Sequence, residues 1–176
     1  AMRLVEQGTL NLDEDVNARL TSWRVPENSF DAAHKVTLRG LLSMTGGIGV
    51  PGFLGYEASA PLPTLTQILN GAPPANSPPV TVIAVPGSAY HYSGGGYEIT
   101  EALLQDVTRK PFPELMQELV LGPAGMTRST FEQPLPRARE ASAASGHSGD
   151  GREVPGRSRV FPEHAAAGRW AAPPGN

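Results

Sequence analysis

Cysteine is absent from the 176 residues, which excludes disulfides, thiolate metal centres and cysteine nucleophiles. The same absence leaves the compartment open, because a chain without thiols suits reducing and oxidising surroundings alike. Long apolar runs are also lacking. The longest covers residues 80–85, far short of the roughly 20 residues that a spanning helix needs. The opening AMRLVEQG does not show the basic-then-apolar order of a signal peptide, so no membrane contact is expected. Charge is sparse, at 18% of residues, and its net value of -3 comes from 14 basic and 17 acidic side chains. No basic stripe interleaved with aromatics offers a counter-charge to phosphate, so nucleic acid is not an expected partner. His34, His91 and His164 are scattered without the paired spacing or nearby carboxylates of a metal site, and neither a metal nor another cofactor is expected.

Glycine and proline are plentiful instead, at 20 and 18 residues, so irregular connections take a large share of the chain. Its length is that of one domain, and residues 1–176 are expected to form a single folding unit. Residues 2–7 read as a helix stopped by Gly8, and Asp13 as the N-cap of a second helix presenting Val16, Leu20 and Trp23 on one face. Thr37 can cap a helix over 38–44 that ends at Gly46-Gly47; the Gly/Pro-rich stretch 45–63 reads as a long surface loop. A short helix over 64–70 ends at Gly71, and after a Pro-rich crossing at 73–79 residues 80–85 suit a short strand. The strongest helical periodicity lies in a pair over 97–121: Ile99, Leu103, Leu104 and Val107, then Leu115, Leu119 and Val120. Residues 127–176 are irregular, with a hairpin or loose loop at 146–156.

Four ordered blocks carry a resemblance: EQGTLNLD at 6–13, VTLRGLLSMTGG at 36–47, Pro86-Gly87 with YHYSGGGY at 90–97, and GPAGM at 122–126. With PEHAAAG at 162–168, they resemble the class C β-lactamase-related serine hydrolases, a group that includes family VIII carboxylesterases and D-aminopeptidases. The resemblance implies a mainly helical chain with short β hairpins: the helical subdomain of the serine β-lactamase/DD-peptidase-like α/β fold, with most of the central sheet missing. The family uses Ser-x-x-Lys opening a helix, Tyr-x-Asn or a variant on a loop, and Lys-Thr-Gly or His-x-Gly on a strand. Only the second element is recognisable, in the loop at 86–96. The chain is therefore expected to begin just after the nucleophile and to end before the strand element, as a truncated reading frame would. The tail at 169–174 departs from the family's usual continuation into a capped helix.

The resemblance assigns Tyr92 the role of general base. A serine attacking a carbonyl must lose its proton, and a phenolate can accept it if a neighbouring cation favours the ionised form. In the family that cation is a lysine of the two other motifs. Ser93 and Gly94 stand where the lactamase-like pattern has x-Asn, which favours the esterase or peptidase branch, and both are expected to contact substrate. Gly94-Gly95-Gly96 would allow close backbone approach to a ligand, positive φ, or simply a tight turn. Phe53 and Tyr56, in the loop that rims the family's pocket, are expected to line the cleft. Met44 replaces the family's usual histidine and reads as a packing substitution. His147, Ser148 and Asp150 are triad residue types, but adjacent loop residues point apart, and a polar turn is the better reading. A small ester, amide or β-lactam is the implied substrate. Helices deprived of a sheet would expose apolar surface, so homo-oligomers are expected. A non-catalytic binding or assembly module built on the same helices is the alternative.

Overall fold

The strongest apolar periodicity becomes the centre of the molecule. In the computed structural model, which describes residues 1–30, 34–57, 60–143, 147–152 and 159–160, five α-helices are described: α1 (Met2–Glu6), α2 (Leu38–Leu42), α3 (Leu65–Asn70), α4 (Gly94–Thr108) and α5 (Phe112–Met116). α4 packs against α2, α3 and α5. Its Ile99 and Leu103 meet Leu38 and Leu41 of α2 and Leu69 of α3 in one buried cluster. Because neighbours surround α4, its polar Glu98, Thr100 and Glu101 are buried too.

Local chemistry accounts for most helix ends. Thr37 accepts the Gly40 N–H at 3.1 Å at the start of α2. Thr64 and Gln67 exchange hydrogen bonds in a full capping box before α3, and Gly71 closes that helix with φ of 60°. α4 begins at Gly94, ahead of the expected residue 97, because Ser93 caps it. The second helix of the expected pair is α-helical only to Met116. Residues Gln117–Leu121 then widen into a π turn in which the Gly122 N–H reaches Gln117 O at 2.8 Å.

The helix expected after Asp13 is replaced by a single 3-10 turn, Val16–Ala18, capped by Asp15. Longer-range bonds compete successfully here. Asp13 is engaged by Arg39 in a two-pronged ion pair (2.7 and 2.8 Å), and the Asn17 amide bridges the N–H and C=O of Val25 (2.8 and 3.0 Å). Val16, Leu20 and Trp23 are nonetheless all buried.

The stretch 45–63 is not a free surface loop. Ile48 bridges Val82 antiparallel, Gly49 N–H donates to Thr81 O at 2.9 Å, and Ile83 N–H donates to Gly47 O at 2.8 Å. The short strand expected over residues 80–85 is reduced to a single bridge at Val82. The strands β1 (Tyr56–Glu57) and β2 (Arg159–Val160) pair antiparallel. They are far apart in the chain, so this is not a hairpin. The block at 162–168, with His164, and the tail at 169–174 lie outside the described residues.

Candidate active-site loop

Tyr92 occupies the last position before the cap of α4, and its side chain is 46% exposed. Both neighbours are fixed by the same residue. His91 N–H donates to Met44 O at 2.8 Å, and Ser93 N–H donates to Met44 Sδ at 3.3 Å. Met44 follows α2 in the left-handed region, with φ of 60°. There it closes the helix: its own N–H reaches Leu41 O at 3.2 Å, and the Thr45 N–H reaches Gly40 O at 2.8 Å. Glycine normally holds such a position. The helix therefore ends ahead of the expected Gly46-Gly47, and Met44 does more than fill space.

Ser93 is buried, and its hydroxyl is used in both directions, donating to Gly49 O at 2.7 Å and accepting the Gly96 N–H at 2.9 Å. This side chain welds the loop at 49 to the first turn of α4 and faces the protein interior. Gly94 is partly exposed and donates its N–H to Pro51 O at 3.2 Å. A Cβ on Gly94 would lie 3.3 Å from Cε2 of Phe53, so Phe53 borders this turn while also packing on the core. Gly95 is tighter still. Its N–H bonds Val50 O at 3.0 Å, and an added Cβ would meet Gly49 O at 2.8 Å and Val80 Cγ1 at 2.9 Å. The glycine run is thus already helical, and its first two members let residues 49–53 lie directly against the helix start. None of the three has positive φ.

Tyr56 is set apart from this cluster. Its ring is buried and its hydroxyl accepts the Asn76 N–H at 3.2 Å, which makes it an anchor of the 55–76 region. The fold brings Tyr92, Ser93, Gly94 and Phe53 together, with Tyr92 as the exposed member.

The His147–Asp150 region forms a polar turn. Ser148 Oγ donates to Asp150, whose other carboxylate oxygen takes the Arg152 Nε–H at 2.6 Å. The Ser148 hydroxyl and then the Arg152 guanidinium hold the Asp150 carboxyl down to about 2. Serine and carboxylate are bonded directly, not relayed through an imidazole, so the order of a nucleophilic triad is not formed. Among the described residues no group of three or more His, Asp or Glu is placed to hold a metal ion.

Comparison with known proteins agrees with this architecture. Protein flp of Staphylococcus aureus strain MRSA252 is 25% identical over 137 residues, covering 75% of this chain. The chain spans only about 25% of the length of flp. A β-lactamase/D-alanine carboxypeptidase from Yersinia pestis superposes with a TM-score of 0.66 at 20% identity, over 93% of this chain and 43% of that one. A D-amino acid amidase from Ochrobactrum anthropi SV3 gives 0.65 at 22%, over 94% and 44%. An octameric penicillin-binding protein homologue from Pyrococcus abyssi gives 0.60 at 24%, over 92% and 36%. These likenesses establish the β-lactamase/DD-peptidase-like fold. The family model described as Beta-lactamase matches residues 1–174, and the chain belongs to that family.

Proposed function

We propose that this chain is the helical part of a β-lactamase-family serine hydrolase of the ester- and amide-cleaving branch, with Tyr92 as its general base and its nucleophile outside these residues. One observation carries the reading: Tyr92 is exposed, while the residues on either side of it are fixed to the body of the fold through Met44. A base for acyl transfer needs this combination of access and fixed direction. In the reaction, Tyr92 would take the proton from a serine hydroxyl as that oxygen attacks the substrate carbonyl and would pass it to the alcohol or amine that departs as the ester or amide bond breaks, leaving an acyl-serine for water to cleave. Neither lysine of the chain, Lys35 or Lys110, lies three residues after a serine, so no internal Ser-x-x-Lys is available to supply the attacking group. The Ser93-Gly94 pair in place of x-Asn supports an ester or simple amide over a β-lactam. A second copy of the chain is the partner proposed for its exposed apolar side chains.

Two experiments test this. Treated with a fluorophosphonate, the chain acquires no adduct by intact mass and does not turn over a short-chain chromogenic ester; a labelled serine would overturn the proposal. In a chimera, residues 36–97 replace the matching segment of an active family esterase. The chimera hydrolyses ester, and Tyr92→Phe lowers its kcat by about 10²–10⁴-fold. An unchanged kcat would remove Tyr92 from the reaction.

A further inference from the structure

We infer that Met44 is a positioning residue for Tyr92, an assignment that rests on reading Tyr92 as the base. A methionine in the left-handed region is unfavourable, because its Cβ crowds the adjacent backbone, and the position that closes a helix is ordinarily glycine. Closing α2 needs only the backbone N–H of residue 44 and that of Thr45. Glycine would make both bonds without strain, so the helix end does not explain the side chain. The explanation lies 49 residues further along the chain, where Met44 Sδ accepts the Ser93 N–H. The carbonyl of the same residue accepts the His91 N–H. These two bonds hold the Tyr90–His91 and Tyr92–Ser93 peptide units, and between them restrict the direction in which the Tyr92 Cα–Cβ bond leaves the backbone. Ser93 N–H has no helical acceptor of its own, since it precedes the first turn of α4. The sulfur, a weak but polarisable acceptor, fills that place.

Three substitutions separate this role from packing. Met44→Leu keeps the volume and removes the acceptor. Met44→Gly removes the side chain and suits the backbone. Met44→Asn restores an acceptor at the δ position in a residue that tolerates left-handed geometry. Amide hydrogen exchange on the full chain reads the result without any activity. In Met44→Leu and Met44→Gly the Ser93 amide exchanges about tenfold faster, the equivalent of one weak hydrogen bond, while the amides of Ile99 to Leu104 keep their wild-type rates. Met44→Asn returns Ser93 to near its wild-type rate. In the esterase chimera Met44→Leu lowers kcat about tenfold at unchanged KM, and Asn recovers it. Unchanged Ser93 exchange in the Leu variant overturns the proposal, as does a uniform acceleration along α4, which would mark Met44 as packing alone. If Tyr92→Phe leaves the chimera's kcat intact but Ser93 exchange responds as described, the general-base reading fails and the hold on the loop stands.

Discussion

Gly95 has no space for a side chain, since an added Cβ would come within 3 Å of both Gly49 O and Val80 Cγ1. Backbone oxygen cannot retreat as a flexible side chain can, so Gly95→Ala must push residues 49–50 away from α4 and weaken the Gly95–Val50 bond. We expect a loss of about 1–3 kcal/mol, as for other overpacked interiors, although alanine in an exposed helix would be favoured over glycine by about 1 kcal/mol. Urea unfolding of the two proteins checks this, and a stabilised Ala variant would refute the close-packing account. The motif Tyr-Ser-Gly-Gly-Gly stands out in the sequence as a candidate site loop, but the structural work of its individual members was not legible there. Ser93 was expected to face substrate and instead turns inward. Its partner, Gly49 O, is contributed by a stretch whose Gly/Pro composition carries no periodic signal. Met44 was read as packing for the same reason: nothing near residue 44 announces a bond to residue 93.

At the scale of elements, short-range signals served well wherever a cap decided the outcome. Thr37, Thr64 and Gly71 mark real helix boundaries. They failed at 13–23, where Arg39 and Val25 bind the side chains that a helix would have used. That segment is tied to α4 by Asp106, whose Oδ2 accepts the N–H groups of Thr21 (2.6 Å) and Ser22 (2.9 Å) and the Ser22 hydroxyl (3.1 Å). Burial raises the Asp106 carboxyl, but the bonds from Ser22 and Thr21 together outweigh it and hold the group below the usual carboxylate range. A depressed folded value means that the stabilisation is complete above the unfolded value near 4 and is lost as pH falls through the folded one. Asp106→Ala is therefore expected to cost about 1.5–3 kcal/mol at pH 7, the range for hydrogen bonds to a charged group, and less at pH 3 and below. Denaturation of both proteins across that pH range measures the difference, and a gap independent of pH would show that ionised Asp106 is not the tie.

For the whole molecule, the family and the helical character were legible, because the ordered motif blocks and the apolar spacing of residues 99–107 survive without any tertiary information. The burial of Glu98 and Glu101 was not, since glutamate on a helix usually marks its solvent face. Among the described residues, Ile83 (50% exposed), Val85 (38%) and Tyr90 (66%) leave apolar surface uncovered near the Tyr92 loop. Surfaces of this kind favour self-association. Sedimentation velocity is expected to find dimers or larger species at tens of micromolar, shifted toward monomer by Ile83→Lys with Tyr90→Lys. A single monomeric boundary at every concentration would show that these side chains are tolerated in water.

α4, on which three other helices rest, starts two residues after Tyr92. The backbone that carries the Tyr92 side chain is thus continuous with the innermost helix of the fold. A substitution inside α4 therefore reaches this loop along the helix itself, whereas one at Met44 reaches it from outside and leaves the core in place.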